Sequence, residues 1–132
     1  MQELKKIFFK KRILIYGLGL TGNSTFDYLR KTNIVSVYDD ITKKTKIKKF
    51  KNHFINKKKI LKTFFDHIVI SPGINSKNCN LKNYLKKNKD KICTDLDIFY
   101  TNNFRNKIIT ATGTNGKSTT VKLISDILKN SG

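Results

Sequence analysis

The sequence has 132 residues, enough for one domain or for one domain and part of another, and its formal net charge is +19. This charge suggests a nucleic-acid partner, but the lysines are scattered, and the excess of Lys, Asn, Ile and Phe is the bias of an AT-rich genome. The sequence has no apolar run of membrane length and no apolar core of a signal peptide, so we expect a cytoplasmic protein that binds no membrane. The cysteine spacing does not fit a metal site, so we expect reduced thiols, and we expect no nucleic-acid partner.

The first predicted unit is a strand, a glycine loop, a helix and a second strand. Ile13–Tyr16 is a continuous apolar run, typical of a buried parallel strand, and it leads into the G-x-G-x-x-G loop Gly17–Gly22. Apolar residues at helical spacing follow in Asn23–Arg30, and Ile34–Tyr38 is the second strand. Asp39 and Asp40 follow that strand. They lie about 20 residues after the glycines, where the dinucleotide fingerprint has its acidic residue.

Each glycine of this loop has a predicted task. Gly17 permits a tight strand-to-helix turn, Gly19 lets a ligand approach the backbone, and Gly22 permits close packing of the helix on the strand. Asp39 can accept a hydrogen bond from a ribose or base donor. The alternative is that the glycines serve only the turn.

A second small-residue loop follows the predicted strand His67–Ser71. Ser71 offers a hydroxyl, and Gly73 offers a bare backbone N–H after Pro72. Open α/β sheets bind ligands at the carboxyl ends of their strands, so this loop is a candidate for the same site. An ordinary strand-to-helix turn explains it equally well.

The remaining elements before residue 107 carry no predicted chemistry. In the lysine-rich segment 41–62 we expect a poorly defined helix and a short strand, with His53 on the surface. Further on we predict a helix over Asn78–Lys87, a short strand at Ile92–Cys93 and a helix that Asp95 caps.

A phosphate-binding loop is predicted near the end of the sequence. Ile108–Thr112 is predicted as a short strand, Gly113–Ser118 as a glycine-hinged loop, and Lys117 as the start of a helix. Backbone N–H groups and the positive end of a helix dipole favour a phosphate there. We therefore predict a Rossmann-like parallel-sheet domain over residues 1–94, and a linker helix with the first strand, P-loop and helix of a truncated α/β ATPase domain over 95–132.

The phosphate loop resembles that of the Mur ligase and folylpolyglutamate synthase superfamily, which reads T-G-T-N-G-K-[ST]. Ala111 stands where a generic Walker A loop has its first glycine, and Asn115 between the two loop glycines is uncommon elsewhere. Three further segments resemble the MurD-type branch of the Mur ligases in order and spacing: Gly17–Ser24, Ser71–Ile74 and Asp95–Phe99.

The resemblance implies two sets of binding residues. The ATP-binding residues would be Gly113, Thr114, Asn115, Gly116, Lys117, Ser118 and Thr119. The residues for the UDP part of the substrate would be Gly19, Leu20, Thr21, Asp39, Asp40, Ser71 and Gly73. It also implies that Lys117 acts catalytically on the phosphates and that Ser118 binds Mg²⁺. Asp40 and Ile41 stand where the family often has Thr-Arg.

The implied reaction is ATP-dependent amide-bond formation in peptidoglycan synthesis, which serves the cell wall, cell shape and division. The substrate carboxylate of UDP-N-acetylmuramoyl-L-alanine becomes an acyl phosphate, and the amine of D-glutamate displaces the phosphate. The resemblance also implies that the full-length enzyme is a monomer. Since a Mur ligase has three domains, we expect residues 1–132 to be an inactive fragment. The alternatives are an NAD-binding oxidoreductase domain, which leaves Gly113–Ser118 unexplained, and a non-catalytic nucleotide- or nucleic-acid-binding fragment.

Overall fold

The computed structural model describes residues 7–41, 50–103 and 105–131. A four-stranded parallel sheet in the order β2-β1-β3-β4 forms its centre. In chain order, the elements are β1 Arg12–Tyr16, α1 Leu20–Leu29, β2 Ile34–Tyr38, α2 Lys57–Ile60, β3 His67–Ile70, α3 Lys82–Lys87, β4 Ile92–Cys93, α4 Asp95–Asn102 and α5 Lys117–Asn130. The predicted α/β parallel sheet is confirmed.

Strand β1 is the centre of the core because both of its faces are covered. Ile13 and Ile15 belong to one apolar cluster, Leu14 and Tyr16 to the other, and all four are 0% exposed. Alternate side chains of a strand point to opposite faces, so a strand covered on both sides is apolar throughout. The continuous apolar run in the sequence has this cause.

The two apolar clusters place helices on both faces of the sheet. The first cluster contains Phe26 and Leu29 of α1 and Ile98 of α4. The second contains Ile60 of α2 and Leu85 of α3. The result is a three-layer α/β arrangement in which the loops after the strands remain at one edge of the sheet.

The expectation that His53 is a surface residue is wrong. Its ring is half-buried, its Nδ1 lies 2.9 Å from the carbonyl oxygen of Val35, and it packs edge-on against Phe26. The chain beside it also pairs with β2, through an isolated bridge between Val37 and Phe54. The histidine therefore covers backbone at the outer edge of β2, which local sequence does not reveal.

Three predicted helix starts also differ from the structure. Helix α1 begins at Leu20 rather than Asn23. Helix α3 begins at Lys82 rather than Asn78, and Asn75 Oδ1 accepts from Lys77 N–H at 3.0 Å in a turn before it. Asparagine favours such turns because its side chain competes for backbone groups. Helix α4 is capped by Thr94, in a capping box with Asp97, and not by Asp95.

The predicted strand Ile108–Thr112 is wrong, because these residues form no ladder with any strand in the described part of the chain. A strand needs a neighbour to accept and donate its backbone hydrogen bonds. Ile108 and Ile109 are 45% and 62% exposed. Helix α5 does begin at Lys117 as predicted, and none of its residues is buried. The division at residues 94 and 95 and the second domain remain predictions.

Candidate functional site

The candidate site lies at the carboxyl edge of the sheet, between the neighbouring strands β1 and β3. The chain continues from β1 to β2 on one side and from β3 to β4 on the other. The hydroxyl of Ser71, after β3, donates to the carbonyl oxygen of Gly17, after β1, at 2.9 Å. Gly17 has φ +101°, a left-handed conformation that glycine adopts without strain. Such a switch point is where open α/β sheets bind ligands.

The third glycine of the loop fixes how closely α1 approaches β1. A Cβ on Gly22 would lie 1.9 Å from the carbonyl oxygen of Gly17 and 3.0 Å from the Ser71 hydroxyl. No side chain fits there, so the predicted packing role of Gly22 is confirmed. Through this contact, α1 starts directly above the end of β1.

The N-terminus of α1 presents backbone donors to the edge. Gly19 is the N-cap residue in an extended conformation, and no side chain caps the helix. The amides of the first turn therefore lack intrahelical partners. A Cβ on Gly19 would meet nothing within 4 Å, and Leu20 is 92% exposed. Open space therefore lies in front of the unpaired amides of α1, where the helix dipole also favours an anion.

Asp39 holds the glycine loop from the end of β2. Its Oδ2 accepts from Leu18 N–H at 2.6 Å, and its Oδ1 accepts from Ile41 N–H at 2.9 Å. Hydrogen bonds from amides to a carboxylate are among the stronger ones in proteins. Asp39 therefore has a positioning function that the sequence did not indicate, besides the ligand contact predicted for it.

Asp40 faces the opposite side of the same edge. Its Oδ2 accepts from the Tyr16 hydroxyl at 2.6 Å and from Asn80 N–H at 3.2 Å. Burial, and then the hydrogen bond to Asp40, raise the pKa of the Tyr16 phenol, so this hydroxyl remains a donor at neutral pH. The other carboxylate oxygen, Oδ1, is buried without a hydrogen-bond partner among the described residues. Sequence reasoning missed Tyr16 and Asn80, which resemble a core residue and a turn residue.

The structure brings the three predicted groups of UDP-site residues to one edge. Gly19, Leu20 and Thr21 begin α1, and the other four follow β2 and β3: Asp39, Asp40, Ser71 and Gly73. A Cβ on Gly73 would also meet nothing within 4 Å. Asn23, which was not predicted, secures the loop, since its side-chain amide donates to the carbonyls of Leu18 and Gly19 at 3.0 and 2.7 Å.

The predicted phosphate loop has two glycines in left-handed or related conformations. Gly113 has φ +144°, and Gly116, the N-cap of α5, has φ +77°. The first helical hydrogen bond runs from Thr120 N–H to Gly116 O, so the preceding amides of α5 have no partner within the helix. The Lys117 ammonium folds back and donates to the carbonyls of Gly113 and Thr114. Ser118 and Thr119 are exposed beside it.

Both cysteines are free thiols. Burial, with a smaller contribution from the charge of Asp97, raises the pKa of the Cys93 thiol to about 12. The reactive form of a cysteine is the thiolate, so Cys93 is inert at neutral pH.

A family model described as the N-terminal domain of MurD-like Mur ligases matches residues 11–93. Among curated proteins, the UDP-N-acetylmuramoylalanine--D-glutamate ligase of Rickettsia conorii is 36% identical over 134 aligned residues, which cover 93% of this chain and 25% of the relative. The Rickettsia bellii ligase of the same name is 38% identical, and the alignment covers 93% of this chain and 28% of the relative. The ligase of Francisella tularensis subsp. tularensis (strain WY96-3418) is 37% identical, and the alignment covers 92% of this chain and 27% of the relative.

The chain thus spans about a quarter of the length of the curated relatives it matches. No solved structure matches it significantly. Within the described residues, no helix combines the length and apolar character needed to cross a membrane. The family match covers more than half of the chain and includes the glycine loop, Asp39, Asp40, Ser71 and Gly73. This chain belongs to the MurD-like Mur ligases, and its residues 11–93 match the N-terminal domain of that family.

Proposed function

We propose that the carboxyl edge of the sheet binds the uridine diphosphate portion of UDP-N-acetylmuramoyl-L-alanine, for an ATP-dependent reaction that joins this substrate to D-glutamate. The observation that carries the proposal is the convergence of the uncapped start of α1 with the ends of β2 and β3. A diphosphate suits the free amides after Gly19, where the backbone is open to a ligand. The relatives are named as UDP-N-acetylmuramoylalanine--D-glutamate ligases, and this name supplies the substrate and the amino acid.

The polar groups beside this anion site suit the nucleoside part of such a ligand. Asp40 Oδ1 is a buried acceptor with no donor among the described residues, and a ligand N–H or hydroxyl that reached it would satisfy it. Asp39 and Ser71 hold the loop with their side chains and so fix the direction of the amides. Orientation of this kind is what a ligase requires from its substrate domain.

We infer that Gly113–Thr119 binds ATP with Mg²⁺. Gly116 leaves open space in front of unpaired helix amides, and the Lys117 ammonium already lies within the loop, so the donor set fits a polyphosphate. Bound ATP supplies the phosphoryl group that activates a carboxylate. Lys117 would neutralise charge on that group, and the Ser118 hydroxyl would contribute an oxygen ligand to Mg²⁺.

Gly19→Ala is expected to weaken the binding of UDP-N-acetylmuramoyl-L-alanine by about tenfold or more, because the new methyl group enters the open space in front of the α1 amides. Calorimetric titration of the 132-residue chain measures this. Ser24→Ala, one turn further along α1, is the matched control and should bind like the wild type. Tighter binding of NAD than of the UDP ligand would contradict the proposal and favour an oxidoreductase domain.

Lys117→Ala is expected to lower the affinity for Mg-ATP by about tenfold or more, since it removes an ammonium group that folds back into the loop. The UDP ligand should bind this variant with unchanged affinity. Lys122→Ala, on the same helix beyond the loop, is the control for a general loss of positive charge. Equal effects of the two substitutions would contradict an ATP site at this loop.

A further inference from the structure

A groove lined largely by lysines shares none of its described lining residues with the two predicted nucleotide sites. It has a volume of about 300 Å³, and four of its seven lining residues are lysines, compared with 28 lysines and arginines in the 132 residues of the chain. We name it the lysine groove and define it by six of these residues: Lys77, Lys82, Lys86, Lys89, Leu85 and Ile92.

The lysines come from different parts of the chain. Lys82 and Lys86 are four residues apart on α3, a spacing that places them on the same side of the helix. Lys89 follows in the turn after α3, and Lys77 reaches the groove from the loop after β3. Their sequence spacing is irregular, so only the folded chain reveals the concentration of charge.

No carboxylate in the described part of the chain compensates these four charges. None of the lining residues is acidic, and no ion pair in the described residues involves any of the four lysines. Asp90 is next to Lys89 in sequence but does not line the groove. The floor is apolar, with Leu85 2% exposed. Several cations around one concavity create a positive potential that an anion relieves.

The shape and lining indicate the size of that anion. A volume of about 300 Å³ lies at the lower end of small-molecule sites. Single-stranded nucleic acids use longer grooves with aromatic side chains on which bases stack, and none of the described residues that line this groove is aromatic. Lysine ammonium groups recognise phosphates as point charges without a fixed geometry.

We propose that the lysine groove is a binding site for a compact polyanion of the oligophosphate class, separate from the UDP and ATP sites. The ammonium groups of Lys77, Lys82, Lys86 and Lys89 hold its charge. Because the four lysines do not belong to either nucleotide site, the proposal does not depend on the proposed ligase function.

The test uses inorganic triphosphate as the probe, with the 132-residue chain carrying Lys117→Ala to remove binding at the phosphate loop. Amide chemical shifts in NMR spectra report the position of binding, and a titration gives its affinity. The groove variant combines Lys82→Gln, Lys86→Gln and Lys89→Gln. The control variant removes the same charge elsewhere, with Lys31→Gln, Lys51→Gln and Lys58→Gln, all exposed residues outside the groove.

We expect saturable binding with shifts confined to residues 76–92, an affinity at least about tenfold lower in the groove variant, and a change of less than about threefold in the control. Circular dichroism checks that each variant folds; if the triple groove variant does not fold, Lys86→Gln alone should lower the affinity about threefold. Non-saturable binding, or an equal loss in the control, would overturn the proposal. Tighter binding of a ten-nucleotide single-stranded DNA at the same amides would replace it with a nucleic-acid site.

Discussion

Gly22→Ala is expected to lower the free energy of unfolding by about 3 kcal/mol or more. The added Cβ would lie 1.9 Å from the carbonyl oxygen of Gly17, a backbone atom that no rotamer change can move away. Alanine is the better helix former by about 0.5–1 kcal/mol, but this gain is too small to offset such an overlap. Urea denaturation followed by circular dichroism measures the change.

Gly19→Ala is the matched control for this experiment. Gly19 lies three residues earlier in the same loop, its φ is −73°, and a Cβ there would have open space. At a helix N-cap, alanine is less favourable than glycine by up to about 1 kcal/mol, which is well below the loss expected for Gly22→Ala. If Gly22→Ala unfolded at the same urea concentration as Gly19→Ala, the close contact between α1 and β1 would be wrong.

Asp39→Ala is expected to lower the free energy of unfolding by about 2 kcal/mol and to weaken the binding of the UDP ligand together with it. The substitution leaves the amides of Leu18 and Ile41 without their acceptors and so releases the glycine loop. Urea denaturation measures the first effect and calorimetric titration the second.

Asp27→Ala is the control for the loss of a carboxylate. Asp27 forms an ion pair with Arg30 at 3.3 Å in which both side chains are about half exposed, and such pairs contribute less than about 1 kcal/mol. An Asp39→Ala variant with wild-type stability that no longer bound the ligand would show that Asp39 acts by direct contact and does not hold the loop.

The site therefore combines residues that hold the loop with residues that are open to a ligand. Ser71 is 8% exposed and donates to Gly17, whereas Gly73, two residues later, is open. Preorganised backbone donors of this kind bind an anion without a further ordering cost. This division of tasks makes the two readouts, stability and affinity, separable by mutation.

The local sequence was sufficient to predict the strands of the N-terminal sheet and the loops that follow β1 and β3. A strand buried on both faces must be apolar throughout, so Ile13–Tyr16 was predictable, and a tight strand-to-helix turn requires glycine, so Gly17 and Gly22 were too. The predicted strand Ile108–Thr112 failed because a strand exists only with a partner. Apolar residues indicate that a segment can pair, but they do not provide a neighbour.

The sequence by itself determined the parallel α/β core and the glycine loop, because these depend on periodicity and on backbone conformations that few residues adopt. It indicated the family through the resemblance of its loop motifs to those of the Mur ligases. Only the tertiary structure decided what the polar side chains contact. Asp39 bonds to the loop amide of Leu18, His53 covers the edge of β2, and Lys77 joins Lys86 in one groove. The first two contacts join residues 21 and 18 positions apart, and the groove combines a loop with a helix, so these arrangements arise only once the fold has fixed the distances between the residues.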